Sequence, residues 1–160
     1  MKLISLHIEN FGGLHQYSLN FQDDLTVVQQ PNGFGKTTLA EFIRAMFYGF
    51  PRRAKTLDKS RRQKYTPWQG GKFGGNLTFR LDGKDYRIER TFGATPKGDH
   101  FQLIDLSINK KSDRFSEEIG LEIFGLDADS FERSTYMPQL REKLDLSTDS
   151  IRAKLGEVTR

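Results

Sequence analysis

The chain has 160 residues, room for a single domain with a real core but not for two large lobes and a long coiled coil. It is 36% hydrophobic and 29% charged, so neither disorder nor a membrane protein fits. No apolar run nears the roughly 20 residues that span a bilayer, and residues 1–9 alternate and meet charge too early for a signal peptide, which reads as cytoplasmic. No cysteine is present, which removes disulfide frameworks, thiolate zinc sites and cysteine nucleophiles, and the net charge of +4 is modest.

In chain order, residues 3–8, 17–21 and 25–29 alternate apolar and polar and predict three strands of one sheet. A turn over 30–35 leads into 36–47, where Leu39, Phe42, Ile43, Met46 and Phe47 fall at helical spacing and predict an amphipathic helix ending near Tyr48-Gly49. Residues 51–64 then carry seven basic side chains against Asp58 alone, leaving the rest of the chain at minus two. Such a run is read as a solvated loop or as a surface for a phosphate-rich partner. The glycine-rich passage 67–75 predicts a loop returning to the sheet. Next comes the clearest hairpin, with Leu77, Phe79 and Leu81, the Asp82-Gly83 turn, then Tyr86 and Ile88. A strand over 101–106 follows, a helix over 116–124 stopped by Gly125, a short helix from Asp129, a strand over 134–137 and a terminal helix from Asp149-Ser150.

Strand, turn and helix form the setting of a phosphate cradle at Asn32-Gly33-Phe34-Gly35-Lys36-Thr37-Thr38. Gly33 and Gly35 let successive backbone N–H groups converge on phosphate oxygens, and the helix behind them adds its positive end. In this pattern Lys36 reaches the β- and γ-phosphates of ATP, Thr37 places its hydroxyl on Mg²⁺ and Thr38 donates to the α-phosphate. The first glycine of the full signature is replaced by Gln30, followed by Pro31.

With the string 8–12 (Ile-Glu-Asn-Phe-Gly) and the helix 42–49, this loop resembles the N-terminal half of ABC-type ATPase heads of the SMC/RecF/SbcC superfamily, SbcC-like and YhaN-like AAA-family ATPases included. The hairpin strand 86–90 looks like that family's antiparallel subdomain and residues 134–139 like its Q-loop. The resemblance implies an α/β P-loop NTPase half-domain: a mixed sheet, a Walker A helix and an antiparallel β lobe, with residues 1–146 as the ATP-binding lobe and 147–160 opening a helix toward a coiled coil. It implies that Gln139 joins Thr37 on Mg²⁺ and senses the γ-phosphate, that Asn32 approaches the γ-phosphate or the attacking water, and that residues 11–13 lie near the sugar and base. Lys36 and Gln139 are the residues it assigns to catalysis.

The Walker B and Leu-Ser-Gly-Gly elements of the family are not found. Residues 101–106 come nearest to Walker B but lack its Glu, so the chain reads as part of a longer protein. ATP hydrolysis would then belong to the complete head, paired with its C-terminal half and a second, homodimeric head, while this chain by itself binds ATP. The implied work is DNA repair or maintenance beside a nuclease subunit and without a membrane. The alternatives are an ATPase of a phage-defence system or a non-hydrolysing nucleotide- or DNA-binding module. DNA contact is expected at Arg52, Arg53, Arg61, Arg62 and Lys64. Trp68 in its glycine-rich loop is expected to pack onto its own domain rather than stack on bases, and His7, His15 and His100 show no ligand spacing.

Overall fold

The computed structural model describes residues 1–21, 34–50, 56–68 and 70–134, with the backbone alone at 34–37 and 56–60. The order of elements is β1 (Lys2–Phe11), β2 (Leu14–Asn20), α1 (Phe34–Tyr48), α2 (Thr56–Tyr65), β3 (Gly74–Leu81), β4 (Lys84–Thr91), a 3-10 turn (Pro96–Gly98), β5 (His100–Asp105), β6 (Lys110–Lys111), α3 (Ile119–Phe124) and α4 (Ala128–Arg133). Among the described residues the strands make one sheet, β2-β1-β3-β4-β5-β6, antiparallel throughout. The expected strands over 25–29 and 134–137, and the helix from Asp149, lie outside the described residues, apart from Ser134 just past α4.

Period-two alternation sorts the sheet into two faces. Leu19, Leu6, Leu77, Ile88 and Leu103 pair across five strands and are all buried. Ser18, His7, Asn76, Glu89 and Gln102 form the neighbouring row on the opposite, polar face. The apolar face receives α1, whose Leu39, Ala40, Phe42, Ile43, Ala45, Met46 and Phe47 are all buried. A helix enclosed on this many sides is a core element rather than an amphipathic surface helix.

Two glycines set the closeness of β3 to its neighbours. A Cβ at Gly75 would stand 2.1 Å from the His7 carbonyl oxygen, and one at Gly74 would stand 2.2 Å from that of Arg90. The glycine-rich passage therefore ends as the first residues of β3, where backbone approaches backbone.

Within the basic run 51–64, left open between a solvated loop and a surface for a phosphate-rich partner, Thr56–Tyr65 is helical. Its inward positions are filled by Arg62 and Tyr65, both buried, so the helix is amphipathic through an arginine and carries little apolar signal. The segment before α3 is not helical as far as predicted, since the helix starts at Ile119; it stops as expected, at Gly125, whose φ is +68°. The Asp127 carboxylate caps α4 by accepting from Ser130 N–H at 2.7 Å.

Gly75→Ala is expected to lower the unfolding free energy by more than about 2 kcal/mol, because the new methyl must part β1 from β3. Gly83→Ala meets open space and has only its φ of +75° to contend with, and is expected to cost roughly 1 kcal/mol. Urea unfolding of the two variants measures both, and equal losses would show that close strand approach is not what Gly75 serves.

Candidate nucleotide site

The backbone of Phe34, Gly35, Lys36 and Thr37 forms the first turn of α1. Amides of a first helical turn lack intrahelical acceptors, and this turn holds no acidic residue to offset its positive end. Thr38 follows as a buried side chain, its methyl 3.6 Å from where a Cβ on Gly12 would lie, so the β1–β2 turn rests on the start of α1.

That turn is held by three consecutive residues. Asn10 donates to the Lys72 carbonyl at 2.9 Å and its Oδ1 lies 2.6 Å from His15 Nδ1, fastening the glycine-rich loop to the end of β1. Phe11 stacks on Tyr65 with ring centroids 4.9 Å apart and meets Phe42 edge-on at 5.4 Å. Gly12, at φ +59°, donates its N–H to the Tyr65 carbonyl at 2.7 Å. The Asn-Phe-Gly string thus joins β1, α1, α2 and the glycine-rich loop around the helix start.

Asn32, Gly33 and Gln139 lie outside the described residues, as do the side chains of Phe34, Gly35, Lys36 and Thr37. Asp105, the nearest approach to a Walker B acid, ends β5 and is buried. Its carboxylate accepts from the Ser107 hydroxyl and, at 2.9 Å, from the Ser107 N–H, and these bonds hold it below the usual carboxylate range. It shapes a turn.

Of the basic stretch, Arg52 and Arg53 also fall outside the described residues. Arg61 donates to both carboxylate oxygens of Glu132 at 2.9 and 2.8 Å. Arg62 is 7% exposed; it donates to both oxygens of Asp99 at 2.7 Å and to the Gly93 carbonyl at 2.9 Å, and it covers the Phe50 ring. Arg62 therefore holds α2 against the loop between β4 and β5, and Arg61 is engaged with α4. Lys64 is exposed, its ammonium 5.5 Å above the Tyr65 ring. Trp68, expected to pack inward, is 73% exposed.

Three structural supports of α1 carry no sequence signature. Arg44 projects from α1 and is 2% exposed, with Nη2 3.9 Å from Asp129 and Nε 4.0 Å from Glu132. Burial, then the neighbouring Arg61, pushes its pKa down, and its Nε has no hydrogen-bond partner among the described residues. Arg90 on β4 is buried against the far end of α1, and burial lowers its pKa to about 10, so it remains charged at neutral pH. Tyr48 ends α1 and reaches the α3–α4 turn.

A cleft of about 340 Å³ opens elsewhere, on the polar face of the sheet, where Glu9 and Glu89 stand among Lys72, Lys111 and Gln102. Gln102 and Arg87 already donate to Glu89 at 3.2 and 3.0 Å.

Arg62→Ala is expected to cost about 3 kcal/mol of stability by stranding Asp99 in a shielded site. Lys64→Ala is expected to stay within about 0.5 kcal/mol of wild type. Denaturant midpoints of the two variants test this division, and equal effects would contradict it.

The AAA domain family matches residues 5–158. The chain is 36% identical over 101 residues to the uncharacterized protein YhaN of Bacillus subtilis (strain 168), covering 61% of this chain and 9% of that protein. It is 32% identical over 101 residues to the DNA double-strand break repair Rad50 ATPase of Methanosarcina acetivorans, covering 62% and 9%. Over 42 residues it is 45% identical to the Septu protein PtuA of Bacillus thuringiensis, covering 26% and 11%. These matches span about a tenth of each relative's length. With the family matched across nearly all of the sequence, the chain belongs to the AAA domain family.

Proposed function

We propose that this chain is the ATP-binding N-terminal half of an SMC/SbcC-like ATPase head that works in DNA repair or maintenance. The observation that carries the reading is the start of α1: a buried helix whose first turn contains Gly35-Lys36-Thr37 and bears no acid, with the Gly12 turn resting on Thr38. Backbone amides of that turn would hold phosphate oxygens, and Lys36 would set a compact positive charge on the β- and γ-phosphates. Asn32, Gly33 and Phe34 would line the same loop. The Thr37 hydroxyl and the Gln139 side-chain carbonyl are hard oxygen donors of the kind Mg²⁺ accepts, and the ion would offset phosphate charge during transfer.

Hydrolysis, on this reading, needs the second half of the head and a second head across the γ-phosphate, because transfer to water requires charge stabilisation from both sides. Similarity to a Rad50 ATPase supports DNA as a partner. A nuclease partner, and phage defence as the second reading, rest on the family resemblance alone. For DNA, the contacts proposed are phosphate contacts by Arg52, Arg53 and Lys64, since Arg61 and Arg62 bind acids of their own chain.

Calorimetric titration of Mg-ATP should give binding that Lys36→Ala removes, without loss of the fold. Affinity unchanged by that substitution would overturn the cradle. Replacing Arg52, Arg53 and Lys64 together by Glu should weaken DNA binding and flatten its salt dependence by about 0.9 in the log–log slope for each phosphate no longer neutralised. An unaltered slope would place the DNA surface elsewhere.

A further inference from the structure

The last turn of α1 has no basic residue of its own, although its carbonyls form the negative end of a 15-residue helix. Arg90 supplies the missing cation from β4. Its Nε donates to the Met46 carbonyl at 2.7 Å and its Nη2 to the Phe47 carbonyl at 3.3 Å, and Nη2 also donates to the carbonyl of Glu117, just ahead of α3. The guanidinium lies 4.5 Å from the centroid of Phe101, and among the described residues its hydrogen bonds go to main-chain oxygens. Gly49, at φ +67°, leaves room for it: a Cβ there would stand 3.0 Å from Nη1. A planar fork of donors is what three carbonyls from two segments require, and an ammonium would not serve them together.

A second tie runs from the same turn to the other end of α3. The Tyr48 hydroxyl donates to the Leu126 carbonyl at 2.8 Å. Its ring lies so close to Gly120 that a Cβ there would be 2.5 Å from Cζ. Between the two ties, Phe47 packs edge-on against Phe124 with centroids 5.1 Å apart, and Tyr48 meets Phe131 of α4 at 5.3 Å. The residues before and after α3 are thus both fastened to the end of α1, and Arg44 adds its ion pairs to α4. Because α1 is one unbroken helix, roughly 22 Å long, a displacement at its first turn is carried to its last.

We infer that Arg90 and Tyr48 are positioning residues that couple occupancy of the nucleotide site at the start of α1 to the placement of the α3–α4 pair, an inference that rests on the nucleotide reading above. Neither residue touches the cradle. Each acts through the helix backbone, and α4 ends one residue before Ser134, where the Q-loop-like sequence begins.

The test is hydrogen–deuterium exchange on the protein that carries this chain, with and without Mg-ATP, for wild type, Tyr48→Phe and Arg90→Lys. In wild type, Mg-ATP should slow exchange at residues 119–133 by about tenfold. In both variants ATP affinity should stay within about threefold of wild type, and protection at residues 34–40 should persist. The nucleotide-dependent slowing at 119–133 should fall below about twofold. A purely structural role would speed exchange at 119–133 equally with and without nucleotide, leaving the ratio intact, and that result overturns the coupling. Wild type that binds Mg-ATP without any change at 119–133 overturns the coupling alone, whereas wild type that binds no Mg-ATP overturns the nucleotide reading and the coupling with it. Tyr48→Phe keeps the ring against Gly120, so its result decides the matter if Arg90→Lys does not fold.

Discussion

The burial of α1 against the apolar face of the antiparallel sheet is the interaction on which the other features depend. On the nucleotide reading proposed above, α1 must be fixed along its flanks, because any rocking would misplace the amides of its first turn by more than a hydrogen bond tolerates. Phe42, Ile43, Met46 and Phe47 provide that fixation, with Leu77, Phe79, Tyr86 and Ile88 on the sheet side of the core. Pairing Leu77 with Ile88 and Phe79 with Tyr86 makes the floor continuous across β3 and β4. The Phe11 cluster then ties the start of the helix to the β1–β2 turn, and Arg90 ties its end to β4.

Arginine is used in this core where apolar side chains would ordinarily serve. Arg44, Arg62 and Arg90 are buried, and each is balanced differently: Arg44 by acids near 4 Å, Arg62 by a two-pronged bond to Asp99, Arg90 by carbonyls. Buried charges of this kind contribute little net stability compared with apolar packing, yet they fix orientation, since a guanidinium fork fits its acceptors in few geometries. Their positions match that use. All three stand where a helix meets another segment, and none stands in the middle of the sheet floor.

Much of the fold is legible in the sequence because its signals are local. Alternation marks β1, β2 and the hairpin, Asp82-Gly83 marks the turn, and the 39–47 spacing marks α1. The helix α2 escapes periodicity because its buried positions are Arg62 and Tyr65, and an arginine reads as exposed until its acid is known. Asp99 lies 37 residues away, beyond any window. Trp68 misleads in the opposite sense, since a large apolar ring suggests burial while its loop holds it outward. For the candidate site, Gly35-Lys36-Thr37 is readable from spacing and its resemblance to a known family. The supports at Asn10, Tyr48 and Arg90 are not, because each works through a backbone carbonyl, and carbonyls leave no mark on a sequence.

The start of α1 is proposed as the place where the phosphates bind. Amide chemical shifts of the isotopically labelled protein, followed during titration with Mg-ATP, test it most directly. The largest changes are expected at residues 33–38, with smaller ones at Gly12 and Tyr65. Changes centred on Asn76, Glu89 and Gln102, across the polar face of the sheet, would contradict it.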